Sequence, residues 1–371
     1  MPETNSLSHC FNQLEDPRIA RRKRHSLHDI LIISVCALLC GAEGFVDMEE
    51  FGQAQRAWLG QFLELPNGIP SHDTFGRVFA ALDPAQFAGA FARWTQSLRQ
   101  SLAGEIVALD GKTLRRSGGA GQSPVHLVSA WAVGNRLVLG QLRTAEKSNE
   151  ITAVPELLRR LELAGCIVTL DAMGCQKTIA REIHEADADY VLALKANHEV
   201  LHGEIQTFLD DALENPGHLP GASRYETVEK DHGRIETRRY LCTGQLDWLS
   251  VRDQWAALRS VAVVEAERTL GGKTTHERRY YLSSLPPEAP ALARAIRGHW
   301  GIENSLHWVL DVAMNEDQCR VRTGHAATNL ATLRHLALNL LRQDTTKKRG
   351  VRTKQKIAAW DHRYLLKLLS I

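Results

Sequence analysis

The chain lacks the marks of several protein classes. Its seven cysteines, Cys10, Cys36, Cys40, Cys166, Cys175, Cys242 and Cys319, are odd in number and scattered, with no CxxC pair. That pattern excludes a paired disulfide framework and fits reduced thiols in a cytosolic protein. Net charge is almost absent: 45 Lys and Arg stand against 43 Asp and Glu, a formal +2. Such a balance names no nucleic-acid partner by itself. A membrane span is lacking too. The one segment that mimics a signal peptide, apolar Ile30 to Cys40 after a basic run, is interrupted at its approach by His28-Asp29 and is too short to cross a bilayer. It reads as the buried face of a helix. No internal repeat is visible.

What is present is enough to fold. A chain of 371 residues, 44% hydrophobic, is too long for one small core and too apolar to be disordered, so two or three packed domains are expected. Two basic clusters stand out, Arg21-Arg22-Lys23-Arg24 and Lys347-Lys348-Arg349 with Arg352, Lys354 and Lys356. Each reads either as a phosphate-neutralising patch or as a solvated face.

Residues 1–102 read as helical. Ser26 is placed to cap a helix running to about Cys40, and Asp47 to Phe62 forms a second. Ser71 caps a third, through Ala81, after the loop Leu65 to Pro70. Asp83-Pro84-Ala85-Gln86 combines an N-cap, a proline at the first position and a glutamine at the third, and starts a helix to about Leu102. From Glu105 the pattern changes. Ile106 to Leu109 is a short β run ending on Asp110. His126–Val133 and Arg136–Leu142 form a hairpin, Ile151–Leu163 a helix, and Cys166–Leu170 a buried strand ending on Asp171. A helix at Lys177–Ala186 and a strand at Tyr190–Leu194 follow. The order describes a mixed α/β sheet. Residues 196–290 read as a β-rich insertion, with strands at Tyr225–Lys230, Arg234–Leu241, Ser260–Leu270 and Thr274–Leu282 and a turn at Gly271-Gly272. Beyond it, Ala291 to Val312 and Ala326 to Arg342 are helical.

Asp110 and Asp171, each just after an apolar strand, are placed where α/β sheets hold their sites. They suit two-metal phosphoryl chemistry, which needs carboxylates converging on a pair of hard cations such as Mg²⁺ or Mn²⁺. A strand-end Asp is also a common turn residue. Glu303 supplies a third acid on a helix, where His299, Glu303 and His307 fall at i, i+4 and i+8 on one face. That spacing admits a zinc reading, but no Cys or His pair elsewhere completes a tetrahedral set. Histidines that hydrogen-bond DNA backbone or structural carbonyls are the simpler account.

At these residues the sequence resembles the H-repeat-associated transposases, bacterial insertion-sequence proteins of the DDE, ribonuclease-H-like superfamily. The resemblance covers about residues 10–345. It rests on Ile69 to Phe75, Leu109-Asp110-Gly111-Lys112-Thr113-Leu114-Arg115, Lys147 to Ile151 and Leu170-Asp171-Ala172-Met173-Gly174-Cys175-Gln176. Further on it rests on Lys195-Ala196-Asn197, His232 to Arg238, Arg297 to Asn304, His307-Trp308 and Asn315-Glu316-Asp317-Gln318. It implies that Asp110, Asp171 and Glu303 are the catalytic, metal-binding triad for two Mg²⁺ or Mn²⁺ ions. It also implies a ribonuclease-H-like core at 103–345 interrupted by the insertion, a DNA-binding helical domain at 1–102 and a basic tail at 346–371. Related insertion-sequence transposases carry Tyr, Arg and Lys at −7, −4 and +7 from the glutamate. Here Ile296, His299 and Leu310 occupy those positions.

The expected partner is double-stranded DNA, transposon ends and target alike, bound by a homodimer at the nucleoid in the bacterial cytoplasm. Lys112, Arg115, Arg116, Lys195, Asn197, Arg234, Arg238, Arg297, His299 and Trp300 are the candidate DNA contacts. Arg239 of the insertion belongs with them. Trp300 and Trp308 suit stacking on a flipped base, although core packing is the commoner fate of a helical Trp. Two other functions fit the same sequence, a metal-dependent nuclease without strand transfer and an inactive DNA-binding remnant. Joining assays with pre-cut ends separate the first from a transposase.

Overall fold

The structure is a computed structural model that describes residues 7–19, 21, 23–98, 103–119, 121, 123–144, 150–231 and 233–369. Arg22, Lys147 to Asn149, His232 and the end of the helix expected to reach Leu102 lie outside the described residues. The helices are α1 (Leu7–Asn12), α2 (Leu27–Leu39), α3 (Phe45–Ala54), α4 (Arg56–Leu59), α5 (His72–Ala81), α6 (Pro84–Leu98), α7 (Glu150–Arg159), α8 (Lys177–Glu185), α9 (Glu199–Glu214), α10 (Ala289–Ile302), α11 (Trp308–Met314), α12 (Ala326–Gln343), α13 (Val351–Trp360) and α14 (His362–Leu369). The strands are β1 (Ile106–Thr113), β2 (His126–Ala132), β3 (Leu137–Thr144), β4 (Ile167–Leu170), β5 (Asp189–Leu194), β6 (Ser223–Asp231), β7 (Arg234–Thr243), β8 (Ser260–Leu270) and β9 (Lys273–Ser283). The chain forms two compact units. One comprises residues 1–100, 111–149 and 303–371, the other 101–110 and 150–302. β1 crosses the boundary at Asp110.

In the first unit α2 and α12 form the centre. Ser26 accepts the Asp29 amide at 2.9 Å and caps α2, whose apolar run is buried almost throughout, as its sequence predicts. α12 is buried on every side, so its polar residues need partners inside the protein. Asn339 makes a two-way bond with the Val138 backbone, accepting at 2.9 Å and donating at 3.0 Å. Asn329 donates to the carbonyls of Phe79 and Leu82 at 2.8 Å. These bonds fix α12 on β3 and α5. α6 starts as expected, with Asp83 Oδ1 accepting from Ala85 at 2.7 Å. Ser71 differs from expectation: its hydroxyl lies 3.2 Å from that of Thr74 and makes no backbone cap. β2 and β3 pair antiparallel, with a register shift at Ala130/Trp131. The amide of Leu114, just past β1, donates to Val125 O at 2.9 Å.

The expected tail, 346–371, instead carries α13 and α14, with Tyr364, Leu365 and Leu368 buried. Apolar residues recur there every three to four positions, a spacing masked by the basic residues between.

In the second unit the strand order is β1-β4-β5-β9-β8-β7-β6. β1, β4 and β5 are parallel, and β9 pairs antiparallel with β5, Leu192 opposite Leu282. The mixed α/β sheet, the helical N-terminal region and the four strands of the insertion are as the sequence predicts. The pairing of β9 with β5 has no counterpart in the sequence pattern: the antiparallel strands continue the parallel sheet edge to edge. The Gly271-Gly272 turn joins Leu270 to Lys273 with both glycines at positive φ, 56° and 80°. α10 lies close on this sheet. A Cβ added to Gly298 would meet Ile106 at 2.9 Å, so a glycine is required where the helix crosses β1.

Candidate active site

Parallel register sets the position of the first two acids. Ala108 on β1 pairs with Thr169 on β4. Asp110 and Asp171 each follow by two residues on neighbouring strands, which run about 4.8 Å apart; Asp171 lies just past β4, whereas β1 continues beyond Asp110 to Thr113 instead of ending there. Side chains two residues apart share a face. Thr169 identifies that face, because its hydroxyl lies 3.0 Å from Nδ1 of His299 on α10. Asp110 therefore sits on the side of the sheet that α10 covers.

Asp171 has a second role. Its Oδ1 accepts the amides of Met173 and Gly174 at 2.9 and 3.3 Å, which folds the loop after β4 into an Asx-type turn. The loop is held from the other side as well. Asn197 Nδ2 donates to Ala172 O at 2.9 Å, and His198 Nε2 lies 2.6 Å from Cys175 O. Asn197, a candidate DNA contact, is thus spent on the Asp171 loop. Gly174 permits the arrangement, since a Cβ there would fall 2.5 Å from Leu170 Cδ2.

The third acid lies where the helix changes pitch. α10 ends at Ile302 and residues 303–307 form a π-helical turn before α11. Such turns recur at functional sites. The sequence predicts an unbroken helix here; a π turn has no local signal, since it adds one residue to a turn without changing the composition. Within this turn Glu303 Oε2 lies 3.5 Å from Nδ1 of His307, whose side chain is buried while that of Glu303 is half exposed.

Behind the π turn is a charged cluster that sequence reasoning missed. Lys112 Nζ reaches Asp311 at 2.5 Å, Asp317 at 3.1 Å and Glu316 at 3.3 Å. Lys112 is 11% exposed and Glu316 only 2%. Burial opposes the ammonium charge, but Glu316 and Asp311 outweigh it and raise the pKa of Lys112. Arg115 Nε completes the set at 3.1 Å from Asp317. The Asn315-Glu316-Asp317-Gln318 stretch was visible as a motif, but nothing in a linear sequence says it meets Lys112. His335, buried nearby, is held neutral with a pKa lowered to about 3 by burial and by His307, Lys112 and Arg334.

The other candidate contacts divide by partner. Arg116 and Lys195 are exposed. Arg238 is 8% exposed and lies between Glu229, at 3.0 Å, and Glu236. Arg234 pairs with Glu236 at 3.5 Å, Arg239 with Glu226 at 2.9 Å and Arg297 with Glu229 at 3.0 Å. Neither tryptophan is in a core. Trp300 is half exposed beneath the Arg279 guanidinium, 5.1 Å from the ring centre, and Trp308 is exposed. Neither therefore takes the commoner fate of a helical tryptophan.

Two family models match, DDE_Tnp_1-associated over residues 8–95 and Transposase DDE domain over residues 102–340. The chain belongs to the DDE transposase family. This transposase-family chain is 39% identical over 376 residues to "H repeat-associated putative transposase YhhI" of Escherichia coli (strain K12), with 99% of the chain and 98% of the relative covered. It is 40% identical over 372 residues to "Putative transposase YncI" of Escherichia coli O157:H7, with 98% and 94% covered. The resemblance read from the motifs is borne out. A cryo-EM structure of a piggyBac transposase synaptic complex with hairpin DNA aligns at TM-score 0.44 and 11% identity over 99% of this chain and 78% of that one. A likeness that weak carries no conclusion. Membership of the family implies use of a divalent metal and DNA as the partner. No helix among the described residues is long and apolar enough to cross a membrane.

Proposed function

We propose that the chain cuts the ends of an insertion element and joins them to target DNA, with Asp110, Asp171 and Glu303 as the metal-binding, catalytic triad of a ribonuclease-H-like core. One observation carries the reading. Asp110 within β1 and Asp171 just past β4 each follow the paired Ala108 and Thr169 by two residues, on the face that α10 covers through His299 and Thr169, and Glu303 is the residue that follows α10.

The donor set fits two hard cations, Mg²⁺ or Mn²⁺, because all three acids offer carboxylate oxygen. Asp171 holds its loop with Oδ1 and keeps Oδ2 for a ligand. When bound, two such cations supply Lewis-acid activation of a water or a 3′-hydroxyl and neutralise charge on the scissile phosphate. The protein's own groups do the rest. His299 fixes the end of α10 on Thr169. Lys112 acts as a positioning residue, since its ammonium already donates to carboxylates. Arg115, Arg116, Lys195 and Trp300, all exposed, touch the DNA, and residues 1–102 recognise the transposon end. A homodimer brings two ends together at the nucleoid.

The test uses a duplex carrying a transposon end with Mg²⁺ or Mn²⁺. Asp110→Asn, Asp171→Asn and Glu303→Gln should each abolish cleavage and reduce Mn²⁺ binding read by electron paramagnetic resonance, while duplex affinity is kept. Any one of the three that still cuts normally is removed from the site. Joining of pre-cut ends is read in parallel: cutting without joining makes the chain a nuclease only.

A further inference from the structure

A cavity of about 820 Å³ opens in the first unit beside the π turn, with Asn304 and Ser305, the two residues after Glu303, on its wall. Its two sides differ in chemistry. One is the α11 surface, apolar through Trp308, Val309, Val312 and Ala313. Trp308 is 61% exposed at its rim. The other is the turn between α12 and α13 with the start of α13, which contributes Lys347, Lys348, Arg349 and Arg352, and Arg136 and Arg342 also line the groove.

Among the described residues no carboxylate neutralises these cations, and Arg352 donates only to the Val312 carbonyl. Among the described residues lining the groove the one acid is Asp344, and it is already committed. Its carboxylate is fully buried, bonded by the Thr346 and Tyr364 hydroxyls at 2.5 and 2.8 Å, with Lys354 and Lys367 at 3.7 and 3.5 Å. Burial opposes its charge, yet these partners hold its pKa down to about 2. Among the described residues no carboxylate pairs with Arg136, Lys347, Lys348 or Arg349. Arg342 donates to the Ser305 carbonyl and lies 5.1 Å over the Trp131 ring, which fixes the floor of the groove.

An apolar wall carrying an exposed indole, opposed by a row of unpaired cations, is complementary to a single nucleic-acid strand. The bases have one wall to stack on and the phosphates have the other. The cavity has the volume of a ligand pocket, roughly 300–1,000 Å³. We infer that this groove binds an unpaired DNA strand, its backbone on Lys347 to Arg352 and a base stacked on Trp308. The inference deepens the transposase reading and rests on it: cutting frees a strand end at the scissile bond, and the groove starts one residue after Glu303.

The test is a binding measurement on the full chain in EDTA, so that it does not depend on catalysis. The probes are a fluorescein-labelled ten-nucleotide oligothymidylate, a duplex of equal length, and polyglutamate as a competitor. Trp308→Ala should weaken single-strand binding by roughly fivefold or more, the value of one stacked base, and leave duplex binding unchanged. Lys347→Glu/Lys348→Glu/Arg349→Glu should lower the salt dependence of single-strand binding by about 0.7 in slope for each phosphate no longer neutralised. Circular dichroism checks that both variants remain folded. Single-strand affinity unchanged in both variants overturns the inference. So does an equal loss for duplex, or displacement by polyglutamate as effective as by oligothymidylate, which would mark a plain anion site. The nuclease reading fails separately, by absence of metal-dependent cutting in the unaltered chain with single-strand binding intact.

Discussion

The arginines of the β6–β9 meander and the cations of the turn after α12 have the same charge and opposite circumstances. Arg238 and Arg239 each face a glutamate across the sheet, where Glu229 of β6 also pairs with Arg297 of α10. Lys347, Lys348 and Arg349 face an open groove whose one acid is already used. Cross-strand register makes the difference. In an antiparallel ladder, opposed residues lie within ion-pair reach, and Glu226 stands opposite Arg239. A turn between two helices has no opposing strand. A paired cation stabilises the protein, and an unpaired one is available to a ligand.

Breaking a buried pair should have the largest effect. Lys112→Ala leaves Glu316 buried without its counter-ion and should cost about 3–5 kcal/mol of stability in urea denaturation. A loss below about 1 kcal/mol would mean that water reaches the cluster.

His335 should give the next largest effect, as a pH dependence. Its pKa is about 3 in the fold against 6.5 for a free histidine, so between those values the unfolded chain takes up a proton that the folded one refuses. Stability should therefore fall as pH drops below about 6.5, by up to about 1.4 kcal/mol per pH unit from this group. In His335→Gln that slope should be shallower than in the unaltered chain; identical slopes would refute the assignment.

Arg238→Ala, between Glu229 and Glu236, should cost about 2 kcal/mol, since it removes charge-assisted bonds from a half-exposed ladder. Lys348→Ala is the counterpart and should change stability by less than about 0.5 kcal/mol. If thermal unfolding ranked these two in the reverse order, the contrast between paired and unpaired cations would be wrong.

Much of the fold was legible because it depends on local chemistry. Ser26 and Asp83 act as caps, and the apolar runs before Asp110 and Asp171 form strands, β4 ending with its run while β1 continues through Asp110 to Thr113. Other features have no local cause. The π turn at Glu303 and the union of β5 with β9 are set by packing partners far away in sequence. For the site, the placement of the two aspartates after apolar runs was readable, although only Asp171 stands past the end of its strand. The brace from Asn197 and His198 on the Asp171 loop was not, since it joins residues more than twenty apart through side-chain bonds to carbonyls.

By itself the sequence determined periodicities, caps, turns and the placement of acids after apolar strands, because each depends on residues within a few positions of one another. The tertiary structure alone decided which charges are neutralised. Lys112 and Lys348 are the same residue type in similarly basic stretches, yet one is enclosed by acids from another helix and the other faces a groove. Coulomb energy depends on distance and burial, and both are properties of the folded chain.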